Sequence, residues 1–273
     1  MSIVRIRVPK ASDISGIARM QYRSMRMLEY RNYTEKELSV YAMETDQIMS
    51  MWCERLVYAE FCNDDERTLI LVAAEKENDS PGAAEAVVGV IFVSILDGFL
   101  YIRSLYVDPD TVGQRIGTAM LTNAVLLMLK RHYIGGLRLE VFADNEPAIA
   151  LYSSFGMKPA DFSYPIKFGG SASKSVPLRM RIMCMESRTT SDLADLLLKK
   201  TAEPVKSMLS EECIEYLQSE TFAKTAEYIR TGNYIPSKFR ELVPALKKTI
   251  GETDEYDDWD DFEDWMETLF PDD

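Results

Sequence analysis

The sequence has few of the residues that would cross-link it or bind a metal. Its 273 residues include four cysteines and one histidine. Cys53, Cys62, Cys184 and Cys213 are widely scattered, and with His132 they give neither a metal-ligand spacing nor a disulfide framework. No metal is therefore expected, and a reducing, cytoplasmic location is. No continuous apolar run reaches the length of about 18 residues that a spanning helix needs, so no membrane role is expected. Met1 to Lys10 alternates basic and apolar residues and lacks the apolar core of a secretion signal. Basic clustering is missing too. The net charge is −13, but twelve of the 44 acidic residues and none of the 31 basic ones lie between Glu252 and Asp273. The rest of the chain is within one charge of neutral. Nothing resembles the basic stripe that nucleic-acid binding needs. There is no internal repeat.

What is present is a regular alternation of strand and helix patterns. Ile3 to Val8 reads as a strand. Ser12-Asp13 precedes a helix carrying Ile14, Ile17, Met20 and Met25. Thr34 with Glu37 forms a capping-box pattern, and Asp46 to Leu56 reads as more helix. Thr68 to Ala74 is a strand. Val87 to Leu96 and Phe99 to Val107 flank Asp97-Gly98, which signals a hairpin. A turn from Asp108 to Gly117 runs into an apolar helix, Thr118 to Lys130. Leu137 to Val141 is a strand, Glu146 to Phe155 a short helix ended by Gly156, and Ser163 to Phe168 and Leu178 to Met185 are two last strands. The order β-α-α-β-β-β-α-β-α-β-β implies a mixed α/β sheet flanked by helices. Beyond a boundary near Glu186 the pattern is helical: Ser191 to Lys200, Ser210 to Glu220, Thr221 to Arg230 and Pro236 to Ile250.

Two segments bear on chemistry. The turn Val107-Asp108-Pro109-Asp110-Thr111-Val112-Gly113-Gln114-Arg115-Ile116-Gly117-Thr118 opens a helix. Unpaired N–H groups and the positive end of the helix dipole suit a phosphate there, although a Gly-x-x-x-Gly taken alone is more often only a tight turn. In Asn145-Glu146-Pro147-Ala148-Ile149-Ala150-Leu151-Tyr152-Ser153-Ser154-Phe155-Gly156-Met157, Asn145 is a good N-cap and Gly156 a good residue to end a helix. Tyr152 read alone is a half-buried helix tyrosine.

Together, with their separation, these segments resemble the GNAT superfamily of acetyl-CoA-dependent N-acetyltransferases. LYVDPDTVGQRIGTAML is similar to its cofactor-binding strand, loop and helix. LRLEVFADNEPAIALYSSFGM is similar to its Leu-x-Leu-x-Val, Asn-x-x-Ala-x-x-Leu-Tyr and Gly-Phe signature, with Met157 replacing the last Phe. The resemblance covers about residues 3 to 186. The family's Arg/Gln-x-x-Gly-x-Gly/Ala loop aligns with Val112 at the basic position and Arg115 at the first glycine, while Gly113 and Gly117 match. A register starting at Gln114 also fits, but Val107-Asp-Pro-Asp sets the loop length and favours the first.

The resemblance implies a mostly antiparallel GNAT-type sheet. It implies acetyl-CoA lying between the strands that end at Val107 and Val141. Leu105, Tyr106 and Val107 would pair with the pantetheine arm. Val112, Gly113, Gln114, Arg115, Ile116, Gly117 and Thr118 would hold the pyrophosphate, and Asn145 the pantetheine. Tyr152 would be the acid that protonates the departing thiolate. Tyr101 and Glu140 stand where protein N-terminal acetyltransferases of the superfamily carry a Tyr and a His, so they are candidate bases. The plain alternatives are a core tyrosine and a solvated carboxylate. Glu29 and Tyr30 are further substrate-side candidates.

The acceptor is an amine. It is either a small molecule, the preferred class, or a protein N-terminus or lysine. YTEKELSVYA followed by Trp52 and Arg55 resembles GNAT enzymes of unassigned substrate. A rival reading from another class is an acetyl-CoA-binding sensor or scaffold, with a homodimer or protein partner engaged through the C-terminal extension. In the tail, Trp259, Phe262, Trp265 and Leu269 recur near helical spacing. They read as a stripe docked on the body, or else as an acidic segment for a basic partner.

Overall fold

The computed structural model describes residues 3–32, 44–62, 66–76, 85–96, 98–131, 134, 136–143, 145–165, 179–186, 197, 199–219 and 221–222. The Thr34–Glu37 pattern, Asp97, His132, most of the helices expected beyond Phe222 and the acidic tail lie outside them. No described helix is long and apolar enough to cross a membrane.

The elements follow the expected order. They are β1 (Ile3–Arg7), α1 (Ile14–Asn32), α2 (Thr45–Val57), β2 (Thr68–Lys76), β3 (Glu85–Leu96), β4 (Phe99–Val107), α3 (Ile116–Arg131), β5 (Gly136–Phe142), α4 (Glu146–Ser153), β6 (Lys158–Pro165), β7 (Arg179–Glu186) and α5 (Glu211–Gln218). They build one seven-stranded sheet ordered β1-β2-β3-β4-β5-β7-β6. Five of its six neighbouring pairs are antiparallel, and β4–β5 is parallel because α3 crosses over between them. The β3–β4 hairpin closes with Leu96 opposite Phe99 and Gly98 at φ 71°. β6 starts at Lys158, ahead of the Ser163 expected from the pattern. It is the sheet's edge, where Pro159 and Pro165 sacrifice no central ladder bond.

Strand alternation sorts the side chains into two layers. Leu69, Leu71, Val88, Ile91, Val93, Leu100, Ile102, Leu137, Leu139 and Val141 face α3. Ile70, Val72 and Val90 face α1 and α2, where Ile17, Met20, Ile48 and Trp52 are buried. The Trp52 indole N–H donates to Gln21 Oε1 at 2.7 Å, which satisfies both buried groups. Gly89 lets α3 sit close to the sheet, since a Cβ there would come within 2.6 Å of Met120 Sδ. At the other end, Asp13 does more than cap a helix. Its carboxylate accepts from the Lys10 N–H at 2.6 Å and from Arg7 at 2.7 Å, tying β1 to the start of α1.

Every residue of α3 from Thr118 to Leu129 is buried. A helix apolar on all sides needs cover on all sides. The sheet covers one side, and residues beyond β7 cover another. Leu197, Val205, Met208, Leu209, Cys213, Tyr216 and Phe222 join the same core. Buried Asn123 fits this cover: its Oδ1 accepts from the Ser210 N–H at 2.9 Å, and its Nδ2 donates to Ala119 O at 2.8 Å. Each large apolar side chain in this cover contributes about 1.5–3 kcal/mol by burial. Their sum is comparable with the net stability of a whole domain, about 5–15 kcal/mol. A chain ended after Glu186 is therefore expected to lose its cooperative thermal transition or to aggregate. A melting curve like that of the full chain would show that the sheet and its own helices suffice.

Candidate active site

The site begins with a mismatch in the ladder. Phe92 pairs with Ser104 and Val93 with Ile102, so Arg103 is one residue too many on β4. Such a bulge bends its strand and adds twist. It also resets the alternation. Leu100 and Ile102 face α3 before it, and Leu105 and Val107 pack on that side after it. Ser104 and Tyr106 are left toward α1 and α2, where Arg55 and the second core meet them. The pairing of β4 with β5 stops at the same point. It holds only from Leu100–Leu137 to Ile102–Leu139. Beyond it β4 runs on beside β3 to Val107, and β5 runs on beside β7 to Phe142. A wedge opens between two strand edges that no ladder joins.

At the wide end, β4 turns into α3. Asp108 accepts from the Asp110 N–H at 3.0 Å, and Arg23 of α1 pairs with Asp108 at 3.0 Å and Asp110 at 2.6 Å, which pins the turn. Val112 is 68% exposed, and Gly113 stands at φ 91° with open space where a Cβ would be. Arg115 stands at φ 65°, a left-handed backbone that favours glycine. That is the position at which the first register expects a glycine. Arg115 O accepts from the Ala119 N–H at 2.9 Å, so Ile116, Gly117 and Thr118 are the first residues of α3. Their N–H groups lack partners within the helix. The side chains of Ile116 and Thr118 are buried, so toward a ligand these residues offer backbone.

Gly117 also brings α4 to this loop, since its Cβ would lie 3.3 Å from Leu151 Cδ2 and 3.7 Å from Val107 Cγ2. Asn145 caps α4 by accepting from the Ala148 N–H at 3.3 Å, and Gly156 leaves it at φ 80°. Tyr152 is buried. Burial pushes its pKa well up, and Tyr106 adds a smaller push in the same direction, so the phenol keeps its proton. Burial also raises the Tyr106 pKa, against the pull of Arg55.

Tyr101 is half-buried opposite Arg138, and Glu140 is exposed two residues further along β5, on the same face by alternation. Glu29 and Tyr30 lie in the last turns of α1, and their side chains are outside the described residues. The wedge thus joins the β4 edge, the α3 loop and Tyr152, with Tyr101 and Glu140 at its narrow end.

Three cations were given no role by the sequence pattern. The Arg55 guanidinium donates to Ser104 Oγ at 3.1 Å. Arg103 Nε donates to Ser94 Oγ at 2.8 Å, with its guanidinium carbon 5.0 Å from the centre of the Tyr101 ring. Lys200, beyond the transferase pattern, donates to Ser154 Oγ at 2.9 Å and lies over Phe155. Burial lowers the Lys200 pKa and the neighbouring Arg115 adds to this, so Lys200 brings a second cation to the α3 loop. In the sequence Arg55 stands out only within the segment that resembles GNAT enzymes of unassigned substrate, and Arg103 and Lys200 carry no signal.

A free strand edge leading to an anion-accepting helix start suits a donor that is long, amide-bearing and phosphorylated. Residues 29–157 match the model of the GNAT acetyltransferase family. Over these residues, a little under half of the chain, the sequence carries the pattern of that acetyltransferase family, whose donor is acetyl-CoA. No curated protein sequence matches it. Among solved structures, the PaiA N-acetyltransferase of Thermoplasma acidophilum, in complex with coenzyme A, is 19% identical. Its TM-score is 0.50, over 67% of this chain and 98% of that one. The ribosomal-protein-S18-alanine N-acetyltransferase of Escherichia coli is also 19% identical, with a TM-score of 0.44 over 67% and 94%. At its identity the first likeness is one of fold.

Arg115→Gly should relieve the left-handed strain and raise stability by about 1 kcal/mol. The midpoint of urea unfolding measures it. An unchanged or lower midpoint would mean that the arginine side chain holds the loop.

Proposed function

We propose that this chain moves the acetyl group of acetyl-CoA to a primary amine by direct attack, with Tyr152 as the acid. The observation that carries this is the wedge: two strand edges left unpaired beside a buried, protonated tyrosine. The donor supplies an acetyl group as a thioester. The free edge of Leu105, Tyr106 and Val107 suits its amide arm as an added strand, and an N–H there would polarise the acetyl carbonyl. The loop from Val112 to Thr118 suits the pyrophosphate, with Arg115 and Lys200 as neighbouring cations. Asn145 keeps its side-chain N–H groups for the pantetheine, because only its oxygen is used in the cap.

The acceptor is an ammonium in neutral water, with a pKa near 10 in the case of lysine. It must shed one proton before its lone pair can form the new N–C bond. Glu140, which is exposed and without an ion pair among the described residues, takes that proton directly or through water. Tyr101 is the alternative base. As the C–S bond breaks, its electron pair stays on sulfur, and the Tyr152 hydroxyl delivers a proton to it. The second proton lost by nitrogen restores the tyrosine. Amide and free thiol leave, with one proton released to solvent. A small amine is the preferred acceptor.

Acetyl-CoA at about a hundred times its Kd should stabilise the protein by roughly 2.7 kcal/mol, read as a rise in Tm. Tyr152→Phe should keep that rise and lower kcat by about 100-fold or more. An unshifted Tm in millimolar acetyl-CoA would sink the donor site, and an unaltered kcat would remove Tyr152 from the reaction.

A further inference from the structure

Charge is unevenly balanced among the described arginines. Arg7 pairs with Asp13 and Glu85, Arg23 with Asp108 and Asp110, and Arg131 with Glu66 and Glu212. Arg55, Arg103 and Arg138 have no carboxylate partner among the described residues; Arg103 and Arg138 stand on the face of β4 and β5 that looks toward α1 and α2, and Arg55 reaches that face from α2. Arg55 is the most telling. Its guanidinium is half-buried, 4.9 Å from the centre of the Trp52 ring and 5.2 Å from that of Phe92. The rings offset part of the cost of burying a cation, but they accept no hydrogen bond in the guanidinium plane. Among the described residues its one polar contact is the Ser104 hydroxyl, which uses one of its five donors. Burial lowers the Arg55 pKa, Tyr106 opposes this, and Arg103 is close enough to add to it. Two like charges are thus held together at the edge of a wedge, with no carboxylate between them among the described residues.

Their place ties this to the acceptor. Arg103 is the bulge residue and lies over Tyr101, a candidate base. Arg55 holds Ser104, the next residue along β4. Arg138 is opposite Tyr101 and lies over Phe99. We infer that the acceptor is a small primary amine bearing an oxyanion, a carboxylate or a phosphate, which Arg55 and Arg103 bind while its amine faces the wedge. A guanidinium fork matches both oxyanions in geometry, and the same two charges repel polyamines. This rests on the transferase reading above and specifies its acceptor.

The test is a set of acceptors matched in shape but not in charge: an amino acid, its carboxamide, an aminoalkyl phosphate and a diamine, each followed by release of free CoA. The full-length protein should favour the acid over its amide by 10-fold or more in kcat/KM, and added salt should shrink the ratio. Arg103→Met and Arg55→Lys should bring that ratio toward one, with retention of the Tm rise in acetyl-CoA showing an intact fold. Arg103 is exposed, so its variant stands even if Arg55→Lys does not fold. Preference for the phosphate over the carboxylate would assign the oxyanion to a phosphate, and the reverse to a carboxylate. A preference for amide or diamine, or a ratio that neither variant changes, would overturn the inference while leaving the transferase in place. Release of CoA with no amine at all would overturn both.

Discussion

One extra residue on β4 organises the active region. Without Arg103 in the ladder, β4 would keep its alternation and nothing would pull it away from β5. With it, the strand bends, the pairing of β4 with β5 ends at Ile102, and the backbone of Leu105 to Val107 is left without a partner on that side. An unpaired strand edge is normally a liability. Here it lies beside the start of α3 and beside Tyr152, so the polar groups it leaves open are those that an extended, amide-containing donor would satisfy.

The same opening sets demands on what surrounds it. The loop into α3 must be held still while its N–H groups stay free. Arg23 does the holding from α1, and left-handed backbone at Gly113 and Arg115 turns the chain into the helix. α3 in turn is buried all round from Thr118 to Leu129, which the sheet cannot accomplish alone. The segment from Val205 to Phe222 closes over it through Asn123 and a run of apolar side chains. Lys200 comes with that cover and reaches Ser154, at the end of the helix that carries Tyr152. The residues beyond β7 therefore bear on the site through packing and through charge.

Much of this was legible in the sequence for local reasons. Asn145 and Gly156 mark the ends of α4 because a cap and a left-handed exit are requirements of the backbone itself. Gly98 marks the β3–β4 hairpin in the same way. The apolar run from Thr118 to Leu129 signals a buried helix whatever surrounds it. The strand from Lys158 was expected only from Ser163, and Pro159 in its missed first half counts against a strand unless the strand is known to be an edge. The bulge at Arg103 had no local mark at all, since it exists only as a register against β3.

By itself the sequence determined the order of strands and helices, the mixed character of the sheet, the loop with its glycines and the capped helix bearing Tyr152. Each of these depends on neighbours in the chain. Only the tertiary structure decided where β4 and β5 part, that Arg115 takes up a glycine's conformation, that Lys200 returns to the α3 loop, and that Arg55 and Arg103 face one opening without a counter-charge among the described residues. These depend on side chains tens to a hundred residues apart, and no spacing along the chain encodes which of them meet.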